Sequence, residues 1–253
     1  MPIAPIWAFG AIIIWQCIAM LAASLGSADW RMEFFLLGYL LATPIIYRLD
    51  KRIIQQATKR SWLTTPKSWI LLALIAGIGF TIVGSELGNV GQKMTAANLP
   101  FKEPNVQTDS PLTAVILGSV VYPITFILVL VGVSLRSLLT WINPWGAMVL
   151  TAGLAAFGAP MSHVIQLAFV AALPIWLYAR TGSLVLSIVS YLPATSLPLV
   201  NLLGWAPGIV GFDAVGTGLA QQQPVWFTLM GALAILAGLG RILYRLSPPE
   251  SAS

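Results

Sequence analysis

An all-α polytopic membrane protein, built as a bundle of about eight transmembrane helices, is the fold class this sequence predicts. Of its 253 residues, 58% are hydrophobic and only 8% are charged, whereas a soluble domain carries about 25% charged residues. Apolar runs recur along the whole chain, and roughly 20 such residues suffice to cross the hydrocarbon as a helix. The basic residues gather in a few loops that abut those runs, which is the pattern that orients membrane spans. Residues 1–253 therefore read as a single integral membrane domain with no room for a soluble one.

The first span covers 5–25. It has no basic segment ahead of it and no clear small-x-small cleavage site before Asp29, so it reads as a mature span. Span two covers 32–47. The most polar segment follows at 48–67, with Arg48, Lys51, Arg52, Lys59, Arg60 and Lys67. Within it, Ile53 and Ile54 suggest a short interfacial helix, with Trp62 and Trp69 at headgroup depth. Span three covers 68–85, and 86–110 reads as an outer loop punctuated by Gly88, Gly91, Pro100 and Pro104. Span four, 111–139, is long and bends at Pro123. Asn143 and Pro144 start span five, which runs to 159 before Pro160. Span six covers 163–179 and span seven 183–203. Pro193 and Pro198 break span seven, so neighbours or polar side chains must satisfy the freed carbonyls. The last span, 224–240, precedes a polar tail with Arg241 and Arg245.

An even number of spans puts both termini on one side. With 48–67 cytoplasmic, its six basic residues are joined inside by Arg136, Arg180, Arg241 and Arg245. Only Arg31, Lys93 and Lys102 fall outside, which accounts for all 13 lysines and arginines and predicts an N-in, C-in topology. The basic excess thus reads as membrane orientation, with no nucleic-acid partner. Cys17 is the only cysteine, so the chain has no internal disulfide and no thiolate metal cage.

A more specific signal lies at 111–203. Arg136 ends the long fourth span, Phe157 precedes Met161 by four residues, and the turn at 178–184 reads Tyr-Ala-Arg-Thr-Gly-Ser-Leu. This layout resembles the CPBP family of CAAX-processing and bacteriocin-processing intramembrane proteases, also called Abi. That family carries Glu-Glu-x-x-x-Arg, then Phe-x-x-x-His, then His-x-x-x-Asn or Asp after a turn similar to this one. The resemblance puts Arg136 at the motif-one arginine, with Val131 and Gly132 where the two glutamates belong. It puts Phe157 at the motif-two phenylalanine and Met161 at its histidine. Tyr191 and Thr195 then take the two motif-three positions.

The departures decide the chemistry. The resemblance implies a glutamate that activates water, and a positioned base contributes about 10²–10⁴-fold. Valine and glycine carry no base, and Met161 and Tyr191 do not replace two imidazoles. No catalytic residue and no metal are therefore expected. His163 lies two residues past Met161, a rotation of about 200° on a helix, to the opposite face. It reads as an interfacial or hydrogen-bonded polar residue; the other reading is an axial ligand to a magnesium pigment or haem. Arg136 reads either as an arginine snorkelling to phosphates or as a holder of helix-end carbonyls. Arg180 reads as a topological anchor. Tyr191 and Thr195, at i and i+4, read as hydroxyl glue between helices. Glu86 reads as solvated at the outer surface, and the ten tryptophans as an interfacial belt near span ends.

The function expected from a retained frame with an emptied site is that of a catalytically inactive scaffold, assembly factor or accessory subunit. Its partners would be other integral membrane proteins and the bilayer, in a bacterial inner or thylakoid membrane. Some plant thylakoid members of the wider family serve pigment-metabolism enzymes as partners, which points to a photosynthetic or respiratory assembly. Two alternatives stand beside it: an active CAAX-type endopeptidase with a non-standard site, and a protein that binds lipid or a chlorophyll-type pigment in the former protease cavity.

Overall fold

The computed structural model describes residues 3–26, 30–53, 67–96, 112–157, 159, 161–202, 212 and 223–246. Among these, 92% are helical and none is in a strand, so the all-α class holds. The order is α1 (Ile3–Leu25), α2 (Arg31–Ile53), α3 (Lys67–Ala96), α4 (Leu112–Val129), a π segment (Leu130–Leu135), α5 (Arg136–Leu139), α6 (Pro144–Ala155), α7 (Met161–Thr181), α8 (Leu184–Leu202) and α9 (Val225–Leu246).

Five described helical stretches are long and apolar enough to cross a membrane: Pro5–Leu25, Ser68–Met94, Gly118–Leu139, His163–Thr181 and Val225–Leu243. These are compatible with a multi-pass membrane protein. Two further apolar helical stretches are shorter, Pro144–Ala155 and Leu184–Leu197. The helix α2 is as long as α1, but charged residues occupy its first and last turns.

Several boundaries depart from those expected. Residues 86–110 do not form a loop from their start, because α3 runs on through Gly88 and Gly91 to Ala96. Both glycines are buried inside the bundle, where tertiary packing overrides their low helix propensity. Span two likewise continues past Tyr47 to Ile53; residues 54–66, with Ile54 and Trp62, lie outside the described set. The helix α6 stops at Ala155, four residues earlier than expected. Neither Pro193 nor Pro198 breaks α8, which runs on to Leu202, while α4 continues through Pro123 as expected.

Two packed groups meet in the bundle. In the first, α1 and α2 run antiparallel, with Trp15 donating to Thr43 Oγ1 at 3.2 Å and Tyr39 to Gln16 Oε1 at 2.7 Å. Trp15 is fully buried and stacks on Tyr39 at 3.9 Å between ring centroids, with Phe126 of α4 beside it. This tryptophan is core, not interfacial belt. In the second group α3 is the hub, flanked by α7, α8 and α9. Small residues set its spacing: Gly77 meets the Ser190 backbone, and Gly238 of α9 meets Ala76 and the Leu72 carbonyl. The helices α4 and α8 join the two groups.

These pairings collect the starts of α1, α3 and α8 and the ends of α2, α5, α7 and α9 at one end of the bundle. Arg48, Arg136, Arg180 and Arg241 fall at that end, and Arg31 and Lys93 at the other.

Candidate functional site

At the basic end, three elements converge on Asp50. Its side chain is only 1% exposed, in the last turn of α2. Arg136, the first residue of α5, forms an ion pair with Asp50 Oδ2. Trp7 of α1 donates its indole N–H to Asp50 Oδ1 at 3.0 Å. A buried carboxylate persists only when paired and hydrogen-bonded, and here each oxygen has its own donor. The partner that Arg136 has here is therefore a carboxylate, where a lipid phosphate or helix-end carbonyls were expected. Arg136 neutralises a buried acid 86 positions away in sequence.

The π segment shapes the next layer. Ser134 donates to the Ala8 carbonyl at 2.8 Å, tying the segment to α1. Tyr47 donates to the Leu128 carbonyl at 3.1 Å. Such local widening of a helix is frequent at functional sites, and it brings Gly132 against α2: a β-carbon there would collide with the Tyr47 hydroxyl and touch Leu184 of α8. Val131 is fully buried in the core beside it. The two positions where the resemblance puts glutamates are thus one core valine and one glycine closed over by a tyrosine.

The turn between α7 and α8 also has a physical reading. Gly182 adopts φ 69°, the left-handed conformation that ends helices and favours glycine. Its N–H donates to the Tyr178 carbonyl at 2.7 Å. Thr181 Oγ1 accepts from the Ser183 N–H at 3.1 Å, and Ser183 Oγ accepts from the Leu186 N–H at 3.4 Å, capping α8. Each of Thr181, Gly182 and Ser183 has a job in the reversal. Arg180 is exposed beside it.

The remaining positions do not gather here. Tyr191 lies seven residues beyond Leu184, about 10 Å further along α8, and its ring sits 5.2 Å from that of Phe126. Thr195 is one turn further on and donates to the Ser119 carbonyl of α4 at 3.2 Å. Pro123 has no N–H to offer that carbonyl, and the Thr195 hydroxyl, which also lies 3.1 Å from the Leu192 carbonyl of its own helix, provides a donor to it across the helix interface. Phe157 is 59% exposed at the end of α6. Met161 begins α7 at the far end from Arg136, with its side chain outside the described residues, and His163 is partly buried in the same turn. Among the described residues no group of three or more His, Cys, Asp or Glu is placed to hold a metal ion.

A cavity of about 110 Å³ opens in the half of the bundle away from Asp50. Thr81 and Ser85 of α3 line it with Tyr122 of α4 and Gln166 of α7, and Tyr191 and Thr195 of α8 complete its polar wall. Val170, Ala194 and Phe212 are among its apolar neighbours. Nearby, Glu86 is not simply solvated: its Oε2 accepts from Asn89 Nδ2 at 3.1 Å and from the Gln223 backbone N–H at 3.0 Å, fastening the end of α3 to the start of α9.

Sequence reasoning missed Asp50, Trp7 and Tyr47 as site residues, and Gln166 with them. A readable signal existed for the α3 side of the cavity: Thr81, Ser85, Asn89 and Gln92 fall at i, i+4, i+8 and i+11, one polar face of a helix in an otherwise apolar stretch, and the first two of them line the cavity. No family model, no curated protein and no solved structure matches this chain.

Proposed function

We propose that this chain is a non-proteolytic membrane protein of CPBP-like design that serves as a scaffold, assembly factor or accessory subunit of a larger membrane complex. One observation carries the reading: Val131, where the resemblance expects the water-activating first glutamate, is sealed in the core, and the Tyr47 hydroxyl fills the space in front of Gly132, the second glutamate position. The nearest described carboxylate in that layer, Asp50, is engaged at both oxygens by Arg136 and Trp7. A general base needs a lone pair within reach of a water, and Asp50 is only 1% exposed, so its burial and pairing favour a structural role for the carboxylate. Eight membrane crossings with both termini cytoplasmic accompany the proposal. Their support is the collection of Arg48, Arg136, Arg180 and Arg241 at one end of the bundle, as positive-inside orientation requires.

Purification from the native membrane in mild detergent tests the reading. The expected result is a second integral membrane protein in fixed ratio. Recovery of the chain alone overturns it. So does cleavage of a CAAX-type or bacteriocin-leader peptide that disappears in Asp50→Asn.

A further inference from the structure

We infer that the cavity between α4 and α7 binds the hydroxyl headgroup of an uncharged lipid. Four observations lead there, and none depends on whether the chain assembles with a partner. First, the cavity is about 110 Å³, whereas one water needs roughly 10–15 Å³ of such space. It is large enough for a small polar headgroup.

Second, its wall is neutral, with a band of polar groups on a mostly apolar surface. Hydroxyls from Ser85, Tyr122, Tyr191 and Thr195 face an amide, Gln166, and no charged side chain is among the lining residues. A phosphate or ammonium taken into this space would lose its hydration with no counter-charge to replace it. A neutral hydroxyl can both donate and accept there.

Third, Gln166 Oε1 is buried and has no hydrogen-bond partner. An orphaned buried acceptor is costly, so the site asks for a donor from outside the chain. Fourth, the cavity reaches the lateral surface. Tyr122, Gln166, Leu167, Ala194 and Thr195 are all partly exposed. The helices α4 and α7 flank the gap without packing along one another, and Val120 and Ile165 beside it are 47% and 48% exposed. In a membrane-spanning bundle such a gap faces acyl chains. A lipid whose tail stays outside can place its hydroxyl against Gln166 and leave Val170 and Ala194 to its first methylenes.

The test uses the full chain in phosphatidylcholine nanodiscs with a diazirine-bearing diacylglycerol as probe. Wild-type protein should be labelled, and unlabelled diacylglycerol should compete while phosphatidic acid should not. Gln166→Leu, which removes the orphaned acceptor, and Ala194→Leu, which fills the space, should each lower labelling about tenfold. Tyr191→Phe, the gentlest change, should lower it severalfold and serves if either other variant fails to fold. Three results overturn the inference: labelling unchanged in folded variants, equal competition by phosphatidic acid, or no labelling of folded wild type, which would leave the cavity to water.

Discussion

The hydroxyl of Tyr47 stands where a β-carbon on Gly132 would have to go, and it donates to the Leu128 carbonyl at 3.1 Å. One atom thus closes the helix face and serves a carbonyl at the π segment. Gly132→Ala should destabilise the protein by about 1–3 kcal/mol through overpacking. Tyr47→Phe should cost about 1 kcal/mol for the lost hydrogen bond. The double variant should cost less than the two together, because removing the hydroxyl makes room for the methyl. Denaturation in mixed detergent micelles reads all three; strictly additive costs would mean that the two residues do not touch.

Asp50 and Arg136 should behave as a buried pair. Arg136→Leu leaves a desolvated carboxylate with only the Trp7 indole and should cost about 3–5 kcal/mol. Asp50→Leu in the same chain removes the stranded charge and should recover most of that loss. Arg136 is 22% exposed, so Asp50→Leu alone lets the guanidinium turn to water and should be the milder single change. The same unfolding assay decides it. If Arg136→Leu proves as mild as a surface substitution, the pair contributes nothing.

The helices were legible because each buried face needs a long apolar run, and such runs are local. What lay outside local reach was the pairing of Asp50 with Arg136 and Trp7, which sit 86 and 43 positions away. Asp50 reads as one more charge in a cytoplasmic loop until α2 is seen to continue through it. The same holds for α3, where Gly88 and Gly91 look like breakers but lie buried in the bundle. The capping at Thr181, Gly182 and Ser183 explains why that string is informative: a tight reversal between two helices demands those residue types. The bond from Thr195 to the Ser119 carbonyl was likewise beyond local reach, because its acceptor is a backbone group on another helix, four residues before Pro123.

That relation gives a test of its own. Thr195→Val should cost about 0.6–2 kcal/mol, the range of a hydrogen bond between membrane helices. In a Pro123→Ala background the new N–H at residue 123 can take the Ser119 carbonyl itself. There Thr195→Val should cost much less. A double-mutant cycle measured by unfolding isolates the coupling, and zero coupling would break the assignment of Thr195 as the substitute donor.

Glycines on α3 and α6 should respond in opposite directions to the same added methyl. At Gly77 a β-carbon runs into the carbonyl of Ser190, which is backbone of the neighbouring helix. The Tyr47 side chain can give by shifting about its χ1 torsion, but a helical carbonyl cannot move without carrying α8 with it. Gly77→Ala should therefore destabilise at least as much as Gly132→Ala, and it should loosen the α3–α8 seam next to Tyr191. Gly153 on α6 is exposed with nothing within 4 Å of a β-carbon, so Gly153→Ala removes only unfolded-state freedom. It should leave stability unchanged or raise it by about 0.5–1 kcal/mol. Unfolding midpoints of the two variants, measured side by side, check the sign. If both fall together, close backbone approach is not what fixes glycine at residue 77.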